Sequence, residues 1–327
     1  MTLHRRLGFL ALALGLLVAG VYFLNGGHSN SPMRRVAIVP FTAVNDRVVQ
    51  GFRQTLADRG WVAGQNVEFQ VTPADGNIGA LDARVRTLLS WKPDLILAAS
   101  TPPSQSVHRN TRDSRVPMIF APVSDPIAAG IVKELAQPGE NATGVRLASS
   151  NGLRLQWLKR MAPKAKVYYV PYSINDKSAL VSLQQIEEGA SLLGLKLVLH
   201  GVDSLQDIEE AAKNIPKAAH AIFLPQDSRI EARVELFVQS ANKSRLPLSA
   251  PSLVQVERGA LMSYGFDHYR IGEQAGRMGA AILAGADPGM LPVETAENFL
   301  AVNLRAAQQI GLEVDESVLR QARIIIR

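Results

Sequence analysis

Short apolar segments alternate with amphipathic segments along the chain from about Arg35 onward. The segment 94–99 (DLILAA) is almost entirely apolar, a pattern typical of a parallel strand that is covered on both faces. The segment 46–60 (DRVVQGFRQTLADRG) ends at a glycine and has the periodicity of an amphipathic helix. One face of that helix carries Val48, Val49, Phe52 and Leu56. The pattern therefore predicts strands and helices that follow each other in turn.

This alternation occurs twice, before and after the segment 142–152 (ATGVRLASSNG). We predict strands over 34–41, 66–71, 94–99, 116–121, 166–171, 195–200, 220–225, 246–251 and 260–265. We predict helices over 46–60, 79–93, 102–114, 176–194, 205–215, 229–244 and 269–285. The last of these has small residues suited to close packing, namely Gly272, Ala275, Gly276 and Gly279. Repeated strand–helix alternation predicts the α/β class, with two doubly wound parallel-sheet lobes.

The N-terminal segment has the features of an export signal. Positive charge at Arg5 and Arg6 precedes the apolar run 7–24, which has 18 residues, and a polar segment follows it. The apolar centre of a signal peptide spans about 7–15 residues, whereas about 20 are needed to cross a bilayer. The run lies between these lengths, so both a cleaved signal and a retained membrane anchor stay open. We therefore exclude residues 1–35 from the fold.

Composition and charge exclude several classes of protein and site. Hydrophobic residues make up 47% of the chain and charged residues 20%, which is typical of a globular protein. The formal net charge is +6, but the 35 basic residues are scattered, whereas a nucleic-acid surface usually clusters them. There is no cysteine, which excludes disulfides, thiolate zinc sites and a lipoprotein anchor. The six histidines have no metal-ligand spacing, and common catalytic motifs are absent, so we predict no enzyme, metal or cofactor.

Polar side chains follow most of the predicted strands. Ligands of open α/β sheets bind beyond the carboxyl ends of the strands, so these strand ends are the candidate binding residues. The candidates are Thr42, Ser100, Thr101, Ser124, Asp125, Tyr172, Ser173, Asn175, Gln226, Asp227, Tyr264 and Asp267. For any one of them helix capping is the more ordinary role, because Ser, Thr, Asn and Asp are the preferred capping residues. Their combination on two lobes favours a shared cleft.

These residues suggest a zwitterionic ligand. Free amides at a helix N-terminus suit an anion such as a carboxylate, and Ser100, Thr101 and Ser104 lie where such amides are expected. Carboxylates at Asp125, Asp227 or Asp267 suit a cation such as an ammonium group. Aromatic side chains at Tyr172, Tyr264 and Phe266 suit an apolar or stacking wall.

Three stretches resemble a known family. They are 91–107 (WKPDLILAASTPPSQSV), 116–145 (VPMIFAPVSDPIAAGIVKELAQPGENATGV) and 259–285 (GALMSYGFDHYRIGEQAGRMGAAILAG). They are similar to the ABC-transporter substrate-binding proteins of the tryptophan/tyrosine type, which belong to the type I periplasmic binding proteins. The similarity extends from about residue 35 to about residue 311.

The resemblance implies two α/β lobes that are joined by three crossover strands and close on a small ligand. The first lobe would contain residues 36–146 and 267–292, and the second would contain residues 147–266 and 293–327. The implied function is capture of a small solute, an amino acid and possibly an aromatic one, in the periplasm. The ligand would pass to a membrane permease driven by a separate ATPase, with no nucleic-acid partner and a monomeric binding protein.

The resemblance also extends to individual residues. Thr101 matches the threonine of the Gly-Thr-Pro sequence at the end of this strand in the family, although Ser100 replaces the glycine. Ser124 and Asp125 match its VSDP motif, with Ser124 implied as the ligand contact and Asp125 as a helix cap. The other matches are Asp227, where Gln226 replaces a common threonine, and Tyr264 with Asp267. The first strand end, PFTAVNDRV, lacks the His-Pro of many relatives, so ligand identity stays open.

Two other classes of function remain as alternatives. A membrane-anchored ligand-sensing domain with the same cleft would explain the length of the apolar run 7–24. A ligand-responsive DNA-binding repressor would share the two-lobed architecture, but its first residues would form a helix-turn-helix and not an apolar segment.

Overall fold

Two separate sheets organise the protein in the computed structural model, which describes residues 32–327. The predicted signal or anchor lies outside the described residues. Within residues 32–327, no helix has the length and apolar character that crossing a membrane requires.

The strands of both sheets agree closely with the segments predicted from the apolar pattern. In chain order they are β1 (Arg34–Pro40), β2 (Val67–Val71), β3 (Leu95–Ala99), β4 (Met118–Val123), β5 (Ala142–Leu147), β6 (Val167–Ser173), β7 (Lys196–Val202), β8 (Ala221–Phe223), β9 (Leu248–Ser249), β10 (Met262–Gly265), β11 (Glu294–Ala296), β12 (Phe299–Asn303) and β13 (Ile324–Ile326). All five residues of β3 are buried, as expected for a central parallel strand. Strand β5 and the three strands after residue 290 were not predicted.

The α-helices follow the strands in the predicted order. They are α1 (Asp46–Asp58), α2 (Leu81–Leu89), α3 (Thr101–Thr111), α4 (Asn151–Met161), α5 (Lys177–Leu192), α6 (Leu205–Lys213), α7 (Ser228–Glu231), α8 (Val234–Ser244), α9 (Leu253–Glu257), α10 (His268–Leu283), α11 (Leu304–Ile310) and α12 (Glu316–Leu319). Two short 3-10 helices lie at Ala43–Asn45 and Pro288–Met290. Helices α4, α9, α11 and α12 were not predicted.

The first sheet has the order β11-β5-β4-β3-β1-β2, and all its strands are parallel. The second has the order β13-β12-β10-β9-β8-β6-β7, and β12 runs antiparallel to β10. We call each sheet with its helices a lobe. The chain crosses between the two sheets three times, at residues 148–150, 266–267 and 297–298. The predicted α/β class with two joined lobes is therefore confirmed.

One lobe boundary differs from the prediction. Residues 293–327 were assigned to the second lobe, but Glu294, Thr295 and Ala296 pair with β5 in the first sheet. The last crossing therefore lies at residues 297–298. An apolar pattern identifies a strand but carries no information about which of two similar sheets it joins.

Helix α10 packs very closely against helix α1 in the first lobe. A Cβ atom at Gly272 would lie 2.2 Å from the carbonyl oxygen of Val48, and one at Gly51 would lie 2.2 Å from that of Tyr269. Only glycine permits α10 and α1 to approach this closely. The predicted role of the small residues of this helix is therefore confirmed.

Two predicted helices have a different form. The helix predicted over 229–244 is divided into α7 and α8 by a turn at residues 232–233, after which Val234 begins the second helix. The helix expected after Asp125 is a turn over residues 126–130. The Asp125 carboxylate still accepts hydrogen bonds from the amides of Ile127 and Ala128, at 3.0 and 2.9 Å, so its capping role applies to that turn.

Candidate functional site

The two lobes contact each other across the carboxyl ends of their strands. The Thr101 hydroxyl, at the end of β3, forms a 2.8 Å hydrogen bond with the Ser178 hydroxyl in the first turn of α5. A second contact is the ion pair between Arg47 on α1 and Glu257 on α9, with 2.7 Å between nitrogen and oxygen. The facing lobe surfaces therefore form a cleft that is closed in this structure.

An open part of this cleft forms a pocket of about 270 Å³. The first lobe lines it with Thr42, Ala43, Val44, Asp75 and Gly76. The second lobe lines it with Leu205, Arg229, Ala232, Arg233 and Arg258. Its size is close to the lower end of the usual range for small-molecule sites, about 300–1,000 Å³.

The end of β3 has a strained backbone. Ser100 has φ of 97°, in the region that favours glycine, and it directly precedes α3. The family to which the sequence is similar has glycine at the position of Ser100. The positive φ of this residue gives a physical reason for that glycine. Such strain often accompanies functional sites. It directs Thr101 toward the second lobe.

The N-terminus of α3 offers fewer free amides than expected. Pro102 and Pro103 have no N–H, and the amide of Ser104 donates to the carbonyl oxygen of Ser100 at 3.2 Å. The Ser104 hydroxyl also donates to that oxygen, at 2.7 Å. Ser104 is therefore engaged within its own lobe, and the Thr101 amide is the remaining donor of this first turn.

The end of β1 is held by Asn45. Its side-chain oxygen accepts hydrogen bonds from the amides of Phe41 and Thr42, both at 3.1 Å. The buried hydroxyl oxygen of Thr42 has no hydrogen-bond partner within residues 32–327. Thr42 therefore lines the cleft with an unused polar atom.

Ser124 lies between β4 and the turn capped by Asp125, and it is half-buried. Thr42, Ser100, Thr101, Ser124 and Asp125 thus lie at the carboxyl ends of three strands of the first sheet. These three strands are neighbours in the order β4-β3-β1. The structure therefore brings the first-lobe candidates together at one sheet edge.

On the second lobe, Asp227 is buried and fully engaged. One carboxylate oxygen accepts from the amides of Arg229 and Ile230, at 3.0 and 3.2 Å, and the other accepts from the amide of Ser173 at 2.7 Å. It therefore caps α7 and joins the ends of β8 and β6. Gln226 is also held in place, because its backbone amide donates a hydrogen bond to the Ser182 hydroxyl at 3.0 Å.

The remaining second-lobe candidates lie in different surroundings. Asn175 is exposed, and its side-chain amide donates to the carboxylate of Asp203. Tyr172 and Tyr264 are half-buried and pack against the core of their own lobe. Asp267 caps α10 through the amide of Tyr269 and lines a separate pocket of about 220 Å³ near β11. The buried hydroxyl of Ser173 has no partner within residues 32–327.

Three buried charged residues beside Asp227 were not among the predicted site residues, namely Arg154, Asp176 and Glu231. Burial, and then the charge of Asp227, raise the pKa of Asp176 to about 6 and that of Glu231 to about 8. Strongly perturbed carboxyl groups are typical of functional sites. Asp176 had a detectable signal, because it directly follows Asn175 at the end of β6, but Arg154 and Glu231 lie inside helices.

Arg154 is completely buried under the second sheet. Its guanidinium carbon lies 4.0 Å from the ring centroid of Phe223, and its Nη2 donates to the Asn151 side chain at 2.9 Å. Its Nε and Nη1 have no hydrogen-bond partner within residues 32–327. Burial lowers the pKa of Arg154 to about 9, so it remains charged at neutral pH.

Relatives of this chain include amino-acid-binding proteins. A tyrosine-binding protein of Clostridioides difficile is 28% identical over 252 residues, which cover 77% of this chain and 72% of that protein. A Streptococcus pneumoniae ABC domain in complex with L-Trp has a TM-score of 0.85 and 26% identity, covering 90% of this chain and 100% of its own.

The lobe arrangement can also be compared. A ligand-free, open substrate-binding protein from Clostridium difficile, with adhesive properties, is equally similar in sequence, at 26% identity over 90% of this chain and 99% of its own. Its TM-score, however, is only 0.67. The arrangement of the lobes here is therefore closer to that of the L-Trp complex.

The match to a protein family covers most of the chain. The family described as ABC transporter substrate binding protein matches residues 36–326. Together with two α/β lobes closing on a polar cleft, this establishes that the chain belongs to the ABC transporter substrate-binding proteins, with the type I periplasmic-binding-protein fold and similarity to the tryptophan/tyrosine type.

Proposed function

We propose that this protein captures an amino acid between its two lobes and delivers it to an ABC permease. Proteins of this family bind small solutes outside the cytoplasm and work with such permeases, and the family is not an enzyme class. The amino acid, delivery by this particular chain and its action as a monomer are the parts that we propose.

One observation carries the proposal, namely the different chemistry of the two facing lobe surfaces. The first lobe presents hydroxyl groups and the free amide of Thr101 at the start of α3, which suit a carboxylate. The second lobe presents buried carboxylates, which suit an ammonium group. The Thr101–Ser178 hydrogen bond shows that these surfaces meet. A zwitterion placed between them would satisfy both.

The relatives support the same ligand class. The tyrosine-binding relative and the L-Trp complex both concern aromatic amino acids. We propose that the ligand carboxylate contacts Thr101 and Ser124, and that the ligand side chain packs near Tyr172 or Tyr264. Phe266, the third predicted wall residue, is 1% exposed and lies in the core of the first lobe. Closure of the lobes would then hold the ligand, as in other two-lobed binding proteins.

We propose that residues 1–31 direct export, by a cleaved signal or as an anchor. N-terminal sequencing of the exported protein distinguishes these two forms. A start between about residues 20 and 31 would indicate cleavage, because the apolar run ends at Leu24.

Isothermal titration calorimetry against a panel of L-amino acids and neutral sugars tests the ligand class. We expect L-Trp or L-Tyr to bind, and Thr101→Val to reduce that affinity by roughly fivefold, through loss of about 1 kcal/mol of hydrogen bonding. Thr87→Val is the matched control, because Thr87 is exposed on α2 of the same lobe. No binding of any amino acid at millimolar concentration to a folded protein would contradict the proposal.

A further inference from the structure

The open pocket of the cleft, which we call the mouth pocket, has one strongly positive wall. Its second-lobe side carries three arginines, Arg229, Arg233 and Arg258. Its first-lobe side has one acidic residue, Asp75, whose carboxylate already forms an ion pair with Arg84 at 2.9 Å. Guanidinium groups stay charged at neutral pH, so three positive charges line a space of about 270 Å³. Like charges around one small space repel each other unless an anion lies among them.

The three arginines differ in how far the protein uses their donor groups. Arg229 donates from Nη2 to the carbonyl oxygen of Asp203 at 2.6 Å, which fixes the direction of its side chain. Arg258 pairs with Glu235 at 3.1 Å, but Glu235 is 49% exposed, so solvent weakens this pair. Within residues 32–327, no ion pair or side-chain hydrogen bond engages Arg233. A guanidinium group has five N–H donors, so most of the donors on this wall have no partner in the described chain.

The opposite wall provides an independent sign that the mouth pocket holds an acceptor. The hydroxyl oxygen of Thr42, which lines this pocket from the first lobe, is buried and has no hydrogen-bond partner within residues 32–327. Buried polar atoms are almost always hydrogen-bonded. A hydroxyl group can donate, and guanidinium groups only donate. An acceptor in the pocket would therefore satisfy both walls.

The positive wall is built on a firmly held part of the second lobe. The amide of Arg229 donates to the Asp227 carboxylate at 3.0 Å, and the other oxygen of that carboxylate accepts from the amide of Ser173 on β6. The backbone that carries Arg229 is thereby fixed to the sheet. Guanidinium groups in fixed positions match the oxygens of a carboxylate or phosphate with two parallel hydrogen bonds. The chemistry of the wall therefore favours an oxyanion.

We propose that the mouth pocket binds an oxyanion, a phosphate or carboxylate group, which joins the arginines of the second lobe to Thr42 of the first. This site goes beyond the proposed function, because its occupant need not be an amino acid. The same chemistry has two possible sources, a free inorganic anion or an acidic group carried by the captured ligand. Either source contacts both lobes, so it favours their closed arrangement.

Inorganic phosphate tests the first source, by calorimetry in a HEPES buffer at constant ionic strength. We expect the wild-type protein to bind phosphate and Arg233→Gln to bind it at least about tenfold more weakly, because hydrogen bonds to charged groups are strong. Thr42→Val should weaken phosphate binding by roughly fivefold from the other lobe. The control Arg86→Gln changes the net charge equally but removes an exposed arginine of α2, so it should leave phosphate binding unchanged.

O-phospho-L-tyrosine tests the second source, because it differs from L-tyrosine by one phosphate group. If the ligand carries the anion, this compound should bind the wild-type protein at least about tenfold more tightly than L-tyrosine does. The gain should disappear in Arg233→Gln and persist in Arg86→Gln, and free phosphate should compete with the compound. If the anion is free, phosphate should instead strengthen the binding of L-tyrosine.

Two results would overturn the oxyanion site. One is a wild-type protein that neither binds phosphate nor prefers the phosphorylated amino acid, and the other is identical behaviour of Arg233→Gln and Arg86→Gln. Phosphate binding without binding of any amino acid would support this site and contradict the proposed function. Amino-acid binding that ignores both phosphate and the phosphate group of the ligand would do the reverse. If Arg233→Gln fails to fold, Thr42→Val decides, because it removes a donor of the same pocket from the first lobe.

Discussion

The two lobes share one architecture, but their cleft surfaces carry different energetic costs. At the end of β3 the first lobe holds Ser100 at φ of 97°, a strained backbone beside neutral hydroxyl groups. Near the ends of β6 and β8 the second lobe buries Asp176, Asp227 and Glu231 around a single arginine. The cleft surface of the first lobe has a strained backbone, whereas that of the second lobe buries acidic groups close together.

This difference suits the proposed function, in which two similar folds contact opposite ends of one small molecule. A strained strand end fixes the direction of donor groups, whereas a cluster of buried carboxylates concentrates acidic groups in a region with little solvent. Closure brings the two surfaces together, as the Thr101–Ser178 hydrogen bond shows. Ser100→Gly removes the backbone strain of the first lobe, and Glu231→Gln removes one buried carboxylate of the second. The two lobes can therefore be tested separately.

The largest effect is expected from removing the buried cation of the second lobe. Arg154→Met keeps the length and apolar contacts of the side chain but removes the buried cation whose charge favours the ionised form of Glu231. We expect a loss of about 3 kcal/mol in the free energy of unfolding at pH 7, measured by urea denaturation. Arg109→Met, which breaks an exposed ion pair with Asp82 on the first lobe, should cost less than about 1 kcal/mol. Equal costs would mean that the two lobes do not differ in this way.

The next effect concerns Glu231 and the dependence of stability on pH. Its folded pKa of about 8 lies above the usual value of 4.5, so its stabilising effect is complete below about pH 4.5 and is lost as pH rises through 8. The unliganded protein should therefore lose stability between pH 6.5 and 8. Glu231→Gln should remove much of this slope and be more stable at pH 8 by about 2 kcal/mol.

Thermal and urea unfolding across this pH range check that expectation. His268 does not interfere within it, because burial lowers the pKa of this histidine to about 3 and its effect appears only as pH falls below its usual value of 6.5. The control Glu187→Gln removes an exposed carboxylate of α5 and should keep the wild-type slope. An unchanged slope in Glu231→Gln would show that this carboxyl group is not the one under strain.

Much of the first-lobe surface could be predicted from the sequence. Strand–helix order places the ends of parallel strands at one sheet edge, so Thr42, Thr101 and Ser124 were expected to lie together. Capping preference also gave the bonding of Asp125 correctly, although it caps a turn and not a helix. These inferences need only local pattern and sheet topology.

The acidic cluster could not be predicted in the same way. Arg154 is the fourth residue of α4, a helix that was not predicted. Glu231 lies in α7, which was predicted as part of one helix that continues to residue 244. The capping of α7 by Asp227 follows local pattern, but its second carboxylate oxygen looked available for a ligand because the amide that it binds lies on β6, 54 residues earlier. Burial and hydrogen-bond partners across strands are properties of the folded chain, and no local pattern encodes them.

A smaller effect, of opposite sign, is expected on the first lobe. Ser100→Gly removes the side chain that conflicts with φ of 97° and should raise the free energy of unfolding by about 1 kcal/mol. Ser90→Gly is the control, because Ser90 follows α2 with φ of −63°, where glycine has no advantage and should slightly destabilise the protein. Denaturant midpoints of the two variants would give the comparison. Destabilisation by Ser100→Gly would show that the serine side chain offsets its own strain.

The smallest effect is expected at the rim of the cleft, where neither kind of strain is present. Arg47 and Glu257 join the two lobes at 2.7 Å, but their side chains are 44% and 36% exposed, so solvent weakens their attraction. Exposed pairs contribute about 0.5 kcal/mol, and opening of the lobes separates this one, so Glu257→Gln should weaken ligand binding by roughly twofold. The effect should disappear in high salt and should not add to that of Arg47→Gln in the double variant. A tenfold loss that persists in salt would mean that the rim, and not the contrast between the two buried surfaces, holds the lobes closed.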